Sequence, residues 1–285
     1  MIPDSSYTRA FTLSIRGRLY KLASPKVMGI INVTPDSFYS GSRVSFPGQI
    51  AARALQMIEA GADMLDLGAY STRPGAAEVS AGEEYARLAR GLEAIRRVAP
   101  GVIVSVDTFR SSVAARCVRE WGADIINDVS GGLLDAGMPA VAADLGVPVV
   151  VMHMRGTPAT MQSLTDYADA PAEIVAELAE RINVFRSAGV ADVIADPGFG
   201  FAKTPEQNYA LMNNLRLMEA LDAPILVGIS RKSMIFKPLG ITPAEALPGT
   251  IALNMAALER GAMILRVHDV KEAVQTVKIF NMLYD

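Results

Sequence analysis

The feature that most constrains this chain is a repeat of eight short apolar runs, rich in β-branched residues and separated by longer amphipathic stretches. The runs fall at 27–34, 64–68, 102–107, 125–130, 148–154, 193–197, 225–230 and 263–268. Apolar residues at consecutive positions fit strands buried on both faces, as in parallel sheets. The stretches between them fit helices: Ile174, Leu178, Ile182 and Phe185 share one face, with Glu173, Glu177, Glu180 and Arg181 elsewhere around the turn. Eight strand–helix units with short connections predict a closed (β/α)8 barrel of the TIM type. An open doubly wound sheet is the alternative, but no dinucleotide fingerprint follows the first run.

A chain of 285 residues suits one such barrel, so 1–285 reads as a single domain. Ahead of the first unit, 11–22 alternates apolar and polar around Arg16-Gly17-Arg18, the pattern of a β-hairpin capping the barrel floor. The net charge of −3, with no long basic run, argues against a nucleic-acid partner and favours small molecules. One cysteine, Cys117, excludes a disulfide framework; among Val113, Val118 and Trp121 it reads as a buried structural thiol. The start of the chain lacks a signal-peptide pattern, and no apolar run approaches the roughly 20 residues that span a bilayer. A cytoplasmic protein without a membrane partner is expected.

Polar residues gather at the C-terminal ends of the runs: Asn32 and Thr34, Asp66 followed by Ser71-Thr72-Arg73, Asp107, Asn127 and Asp128, His153, Asp196, Ser230-Arg231-Lys232, then Arg266 and His268. In a (β/α)8 barrel these ends converge on one mouth, where active sites lie. A single polar strand end is often a helix cap, and Asp107 before 108–110 also reads that way. Eight together predict a polar site, because barrel interiors are otherwise filled by bulky aliphatics. Arg73, Lys232, Arg266 and His268 offer cations and donors suited to phosphate or carboxylate, whereas Asp107, Asn127 and Asp196 suit the edge of a nitrogen heterocycle. The loop Asp196-Pro197-Gly198-Phe199-Gly200-Phe201 adds glycines for close backbone approach and aromatics to line a ring slot; a tight turn with Phe201 as packing is the structural alternative. With two histidines and no Gly-x-Ser-x-Gly around Ser230, no nucleophilic triad forms, and no zinc spacing occurs. A metal here would be magnesium, held mainly by substrate phosphate oxygens and water, with Asn32 the best protein oxygen.

These motifs together resemble the dihydropteroate synthases of folate biosynthesis. The resemblance runs from Gly29-Ile30-Ile31-Asn32-Val33-Thr34-Pro35-Asp36-Ser37-Phe38 to Arg266-Val267-His268-Asp269-Val270. Between them, in order, stand Ser71-Thr72-Arg73-Pro74-Gly75-Ala76, Val104-Ser105-Val106-Asp107-Thr108, Ile126-Asn127-Asp128-Val129, Met152-His153-Met154-Arg155-Gly156, the Asp196–Phe201 loop and Ser230-Arg231-Lys232-Ser233-Met234. The resemblance implies a transferase that joins 6-hydroxymethyl-7,8-dihydropterin pyrophosphate to p-aminobenzoate, releasing pyrophosphate. It implies that Asp107, Asn127, Asp196 and Lys232 bind the pterin, with Val129, Met152 and Gly228 lining the slot and Arg266 against the ring face. It places Asn32 on magnesium, with Thr72, Arg73, Arg266 and His268 facing pyrophosphate. The aminobenzoate would lie near Phe38, Thr72, Arg73, Pro74, Phe201, Ser230 and Lys232. Asn32, Thr72, Arg73, Asp107, Lys232, Arg266 and His268 are thereby the implied catalytic set.

Two departures stand out. Tyr39-Ser40-Gly41-Ser42 occupies the first loop where many relatives have Ser-Asp-Gly-Gly, and Gly68-Ala69-Tyr70 precedes the second motif where many have Gly-Gly-Glu. Both loops belong to the aminobenzoate side, so a sulfonamide-insensitive synthase is one alternative. A methyltetrahydrofolate-dependent methyltransferase and a non-catalytic pterin-binding protein are the others. The methyltransferase has no use for Arg73, Arg266 and His268 facing phosphate, and intact ring, phosphate and loop motifs disfavour a protein without turnover. A homodimer is expected from the resemblance and from an apolar face of Val274, Val277, Met282 and Leu283 beside 251–258.

Overall fold

A computed structural model describes residues 9–33, 47–70 and 78–284. Strands β1 (Phe11–Ile15) and β2 (Arg18–Leu22) form an antiparallel hairpin in the register Phe11 to Leu22 and Ile15 to Arg18. Arg16 and Gly17 both take positive φ, 52° and 70°, the left-handed pair that suits a two-residue hairpin turn. Eight parallel strands follow: β3 (Lys26–Asn32), β4 (Met64–Gly68), β5 (Ile103–Asp107), β6 (Ile125–Asp128), β7 (Val149–Met152), β8 (Val193–Asp196), β9 (Ile225–Val227) and β10 (Ala262–Val267). They close into a barrel in the order β10-β3-β4-β5-β6-β7-β8-β9, so the doubly wound alternative is excluded. The helices described around it are α1 (Pro47–Glu59), α2 (Ala81–Val98), α3 (Ser111–Trp121), α4 (Met138–Leu145), α5 (Ala170–Ser187), α6 (Pro205–Asn213), α7 (Ser233–Leu239), α8 (Leu247–Leu258) and α9 (Val270–Tyr284).

Side chains alternate along a strand, and that alternation decides which residues meet inside the barrel. Met28, Met64, Ile103, Ile125, Val150, Ile194, Leu226 and Ile264 form one buried aliphatic layer with Leu13, Ile15 and Leu22 of the hairpin. The hairpin therefore closes the floor, as expected. Its turn is tied down by Asp124, which accepts from Arg16 Nε at 2.6 Å, Arg96 Nη2 at 2.8 Å and the Val104 amide at 2.9 Å. Outward-facing residues of the same strands join the inner helix faces in the main core, including Ile174, Leu178, Ile182 and Phe185 of α5. Cys117 belongs to this core, and burial pushes its thiol up to about 12, which fits an inert packing residue.

The expected apolar face of α9 divides in two. Val277 is buried and Val274 packs against Gly61, because these positions point back at the barrel; Met282 and Leu283 stay exposed.

Candidate active site

Two or four residues beyond six of the eight floor residues, the same strand faces turn polar. Asn32, Asp66, Asp107, Asn127, Asp196 and Arg266 are reached this way, and Met152 and Gly228 fall on the same alternation. Arg266 is the centre of the group. It donates through Nε to Asp66 Oδ2 at 2.6 Å and through Nη2 to Asp107 Oδ2 at 2.8 Å. Asn127 Nδ2 donates to the same Asp66 oxygen at 3.1 Å, which turns the Asn127 carbonyl oxygen away as an acceptor. Asp107 therefore does not cap α3; the cap position is Arg110, and the Asp107 carboxylate goes to Arg266. Burial and the carboxylates of Asp66, Glu84 and Asp128 push Asp107 up to about 7 against the pull of Arg266.

Asp196 is buried at the end of β8, with Oδ1 accepting from the Gly198 amide at 2.7 Å. Burial raises its pKa while Lys232 and Arg266 favour the charged form. Lys232 donates to the Phe199 carbonyl at 2.6 Å, lies 4.7 Å from the centre of the Phe201 ring, and is pushed down to about 8 by burial. Val129 and Met152 are buried together with Met154, Met161 and Ala202, and Phe201 packs against them, forming an apolar wall beside the carboxylates. Opposite Gly228, an added Cβ would meet nothing nearer than Arg266 Cβ at 3.8 Å, so this glycine leaves the Arg266 stem uncrowded.

Several expectations change. His268, grouped above with the cations, is held neutral: burial, Arg266, Arg231 and Arg53 push it down to about 3, and its Nδ1 lies 3.1 Å from Ser230 Oγ. Ser230 thus orients His268 and is itself buried. Asp128 and His153 end strands but sit one residue out of phase. Asp128 accepts from the Ser130 and Gly132 amides, and His153 Nε2 lies 3.1 Å from Glu177 on α5. Arg231 pairs bidentately with Asp269, at 2.8 and 2.9 Å, instead of facing the mouth. Thr34, Phe38, Thr72, Arg73 and Pro74 lie outside the described residues, as does the 39–42 departure. Asp66 stands among the polar strand ends in the sequence without a specific role there, and its position two residues after Met64 is the signal that points it inward. Lys203, buried beside the mouth, carries no such signal.

A barrel mouth that combines buried carboxylates, an amide acceptor and two cations is built for a polar ring. Residues 28–268 match the pterin binding enzymes. The dihydropteroate synthase of Escherichia coli (strain K12) is 43% identical over 269 residues, covering 94% of each chain. This chain belongs to the dihydropteroate synthase family. Among solved members, the Yersinia pestis dihydropteroate synthase in a sulfonamide drug complex superposes with a TM-score of 0.90 at 39% identity, covering 96% of this chain and 98% of that one. The Thermus thermophilus dihydropteroate synthase in complex with 4-aminobenzoate gives 0.85 at 41% identity, covering 96% and 100%. The likeness extends over almost the whole of each chain. With family membership, the methyltransferase alternative falls away.

Proposed function

We infer that this chain is a dihydropteroate synthase that condenses 6-hydroxymethyl-7,8-dihydropterin pyrophosphate with p-aminobenzoate, giving 7,8-dihydropteroate and pyrophosphate. The carrying observation is the convergence of Asp107, Asn127, Asp196, Lys232 and Arg266 on one mouth. Asp196 and the Asn127 carbonyl accept from the amino and N–H groups of the pterin edge, Lys232 donates to its ring acceptors, and the Arg266 guanidinium covers the ring face. Val129, Met152 and Gly228 shape the slot. Arg266, with Thr72, Arg73 and neutral His268, supplies donors where negative charge grows on the departing pyrophosphate. The carbon–oxygen bond breaks with its electrons on pyrophosphate. The electron-rich pterin bears the resulting cation, and the aromatic amine forms the carbon–nitrogen bond and loses a proton to pyrophosphate or water. The apolar wall of Met152, Met154, Met161 and Phe201 excludes water that would otherwise capture the cation. Phe38, Pro74, Phe201 and Ser230 complete the aminobenzoate side.

Magnesium fits this site as a passenger of the substrate. Among the described residues no three His, Cys, Asp or Glu side chains are grouped to cage a metal, while the Asn32 carboxamide oxygen stands at the mouth beside Gly68, 3.3 Å from where a Cβ there would lie. Magnesium keeps several waters and takes few protein oxygens beside substrate phosphates, so the Asn32 oxygen could join such a shell, and the ion would neutralise the leaving group. A homodimer, a single domain over 1–285 and a cytoplasmic location belong to the same reading.

Incubation with both substrates should yield dihydropteroate and pyrophosphate in equal amounts, and a folded protein that forms neither would be a binding protein only. Sulfonamide insensitivity is raised by the departures at 39–42 and 68–70 on the aminobenzoate side, at the second of which Tyr70 stacks edge-on with Phe109 at 5.2 Å and lies under Arg110. Turnover unchanged by a sulfonamide in the same assay would support that form, and loss of turnover would exclude it.

A further inference from the structure

Lys203 sits between β8 and α6, almost wholly buried, although nothing in the reaction requires a lysine there. Its Nζ lies 2.9 Å from the Gly198 carbonyl, 2.9 Å from the Phe201 carbonyl and 3.0 Å from His153 Nδ1. Burial pulls Lys203 down to about 7, but an ammonium has three protons and no acceptor, and three acceptors in these directions favour its charged form. His153 must then accept at Nδ1 and carry its proton on Nε2, which faces Glu177 Oε2 at 3.1 Å. Burial and the charge of Lys203 push His153 down to about 4, in keeping with a neutral ring. Glu177 is in turn held by Arg155 Nε at 3.0 Å, and both line a cavity of about 350 Å³ together with Met152, His153 and Met154. A chain of bonds thus runs from the mouth loop through the barrel wall to α5.

We propose that Lys203 is a positioning residue for p-aminobenzoate, a pin that fixes the 198–201 loop and with it the Phe201 ring, with His153 and Glu177 as its anchor. The assignment rests on the reading of Phe201 as an aminobenzoate contact. Asp196 meets the pinned loop through its Oδ1, which accepts from the Gly198 amide, but its place in the mouth is set elsewhere. Its backbone is held by the β7–β8 register opposite Met152 and by the His153 amide donating to the Asp196 carbonyl at 2.9 Å. Loosening the loop should therefore disturb the aminobenzoate side more than the pterin side. Lys232 links the two, since its bond to the Phe199 carbonyl lies between the pinned carbonyls.

The test is Lys203→Met, which keeps the aliphatic stem and removes the three donors. The expected result is a KM for p-aminobenzoate raised at least about tenfold, with the pterin dissociation constant by calorimetry within about threefold of the parent. A role in stability alone would lower the thermal transition and leave this ratio untouched. A folded Lys203→Met enzyme whose aminobenzoate KM stays within about threefold, or whose pterin affinity falls as far as KM rises, overturns the pin. If Lys203→Met does not fold, His153→Ala decides by the same ratio, because it removes the anchor and leaves Lys203 bound to two carbonyls. Phe201→Ala is the control: an active parent in which it leaves aminobenzoate KM unchanged removes the Phe201 contact and the pin with it. A parent that makes no dihydropteroate sinks the underlying activity instead.

Discussion

At the scale of single residues, charge and direction decide what each mouth group can do. Asp196 illustrates this, because one of its oxygens is already committed to the Gly198 amide. In Asp196→Asn the amide oxygen would keep that bond, leaving the NH2 group to face the donors of the pterin edge. A charge-assisted contact becomes donor against donor, and pterin binding should weaken by about 2–4 kcal/mol, roughly 30- to 1,000-fold. Calorimetric titration of the folded variant checks this; affinity within about threefold of the parent would confine Asp196 to shaping its turn. Asp66 acts differently. It touches Arg266 and Asn127 from below and so sets which way both present their remaining polar atoms.

At the scale of elements, the strand-to-helix turn after β8 is the most constrained piece of the mouth. Gly198 has φ of 67°, and a Cβ there would lie 2.0 Å from the His153 carbonyl oxygen, a backbone atom that cannot swing aside. Gly198→Ala should cost at least about 2 kcal/mol, combining left-handed strain with displacement of β7 against the turn. Urea unfolding monitored by circular dichroism measures it, and a midpoint equal to the parent's would mean the two segments can separate freely. The glycine run was legible in the sequence as a close approach, but what it approaches was not. The partner is a carbonyl more than forty residues earlier in the chain, brought there by strand pairing.

At the scale of the whole molecule, pH, metal and assembly give three further expectations. The unfolded chain protonates each histidine near the ordinary value of 6.5, whereas folded His153 and His268 resist until about 4 and about 3. The native state binds fewer protons in that window, so their contribution is complete above pH 6.5 and is lost as pH falls towards about 4 for His153 and about 3 for His268. Asp107, pushed up to about 7, works in the opposite sense, its contribution present in acid and lost as pH rises through that value. Comparison of parent and His153→Gln isolates one histidine: the parent should lose more stability between pH 6.5 and 4, and parallel curves would show that His153 titrates normally. Chelation of magnesium should abolish turnover while the thermal transition stays in place, since the ion would travel with the substrate. Full activity in excess chelator would contradict this. Sedimentation should report two chains per particle, with exposed Ile279, Met282 and Leu283 of α9 in the contact. A species of one chain mass at micromolar protein would count against it.

The order of eight apolar runs determined the barrel, because a strand buried on both faces and followed by an amphipathic helix has few other ways to cover itself. Polar residues at the ends of those runs likewise determined where the site would lie. Only the tertiary structure separated inward from outward strand ends, since a one-residue shift in phase sends Asp107 to Arg266 and Asp128 to its own loop. It alone made His268 neutral and buried Lys203 behind Phe201, because desolvation and carbonyl positions depend on what packs against a residue and not on its neighbours in the chain.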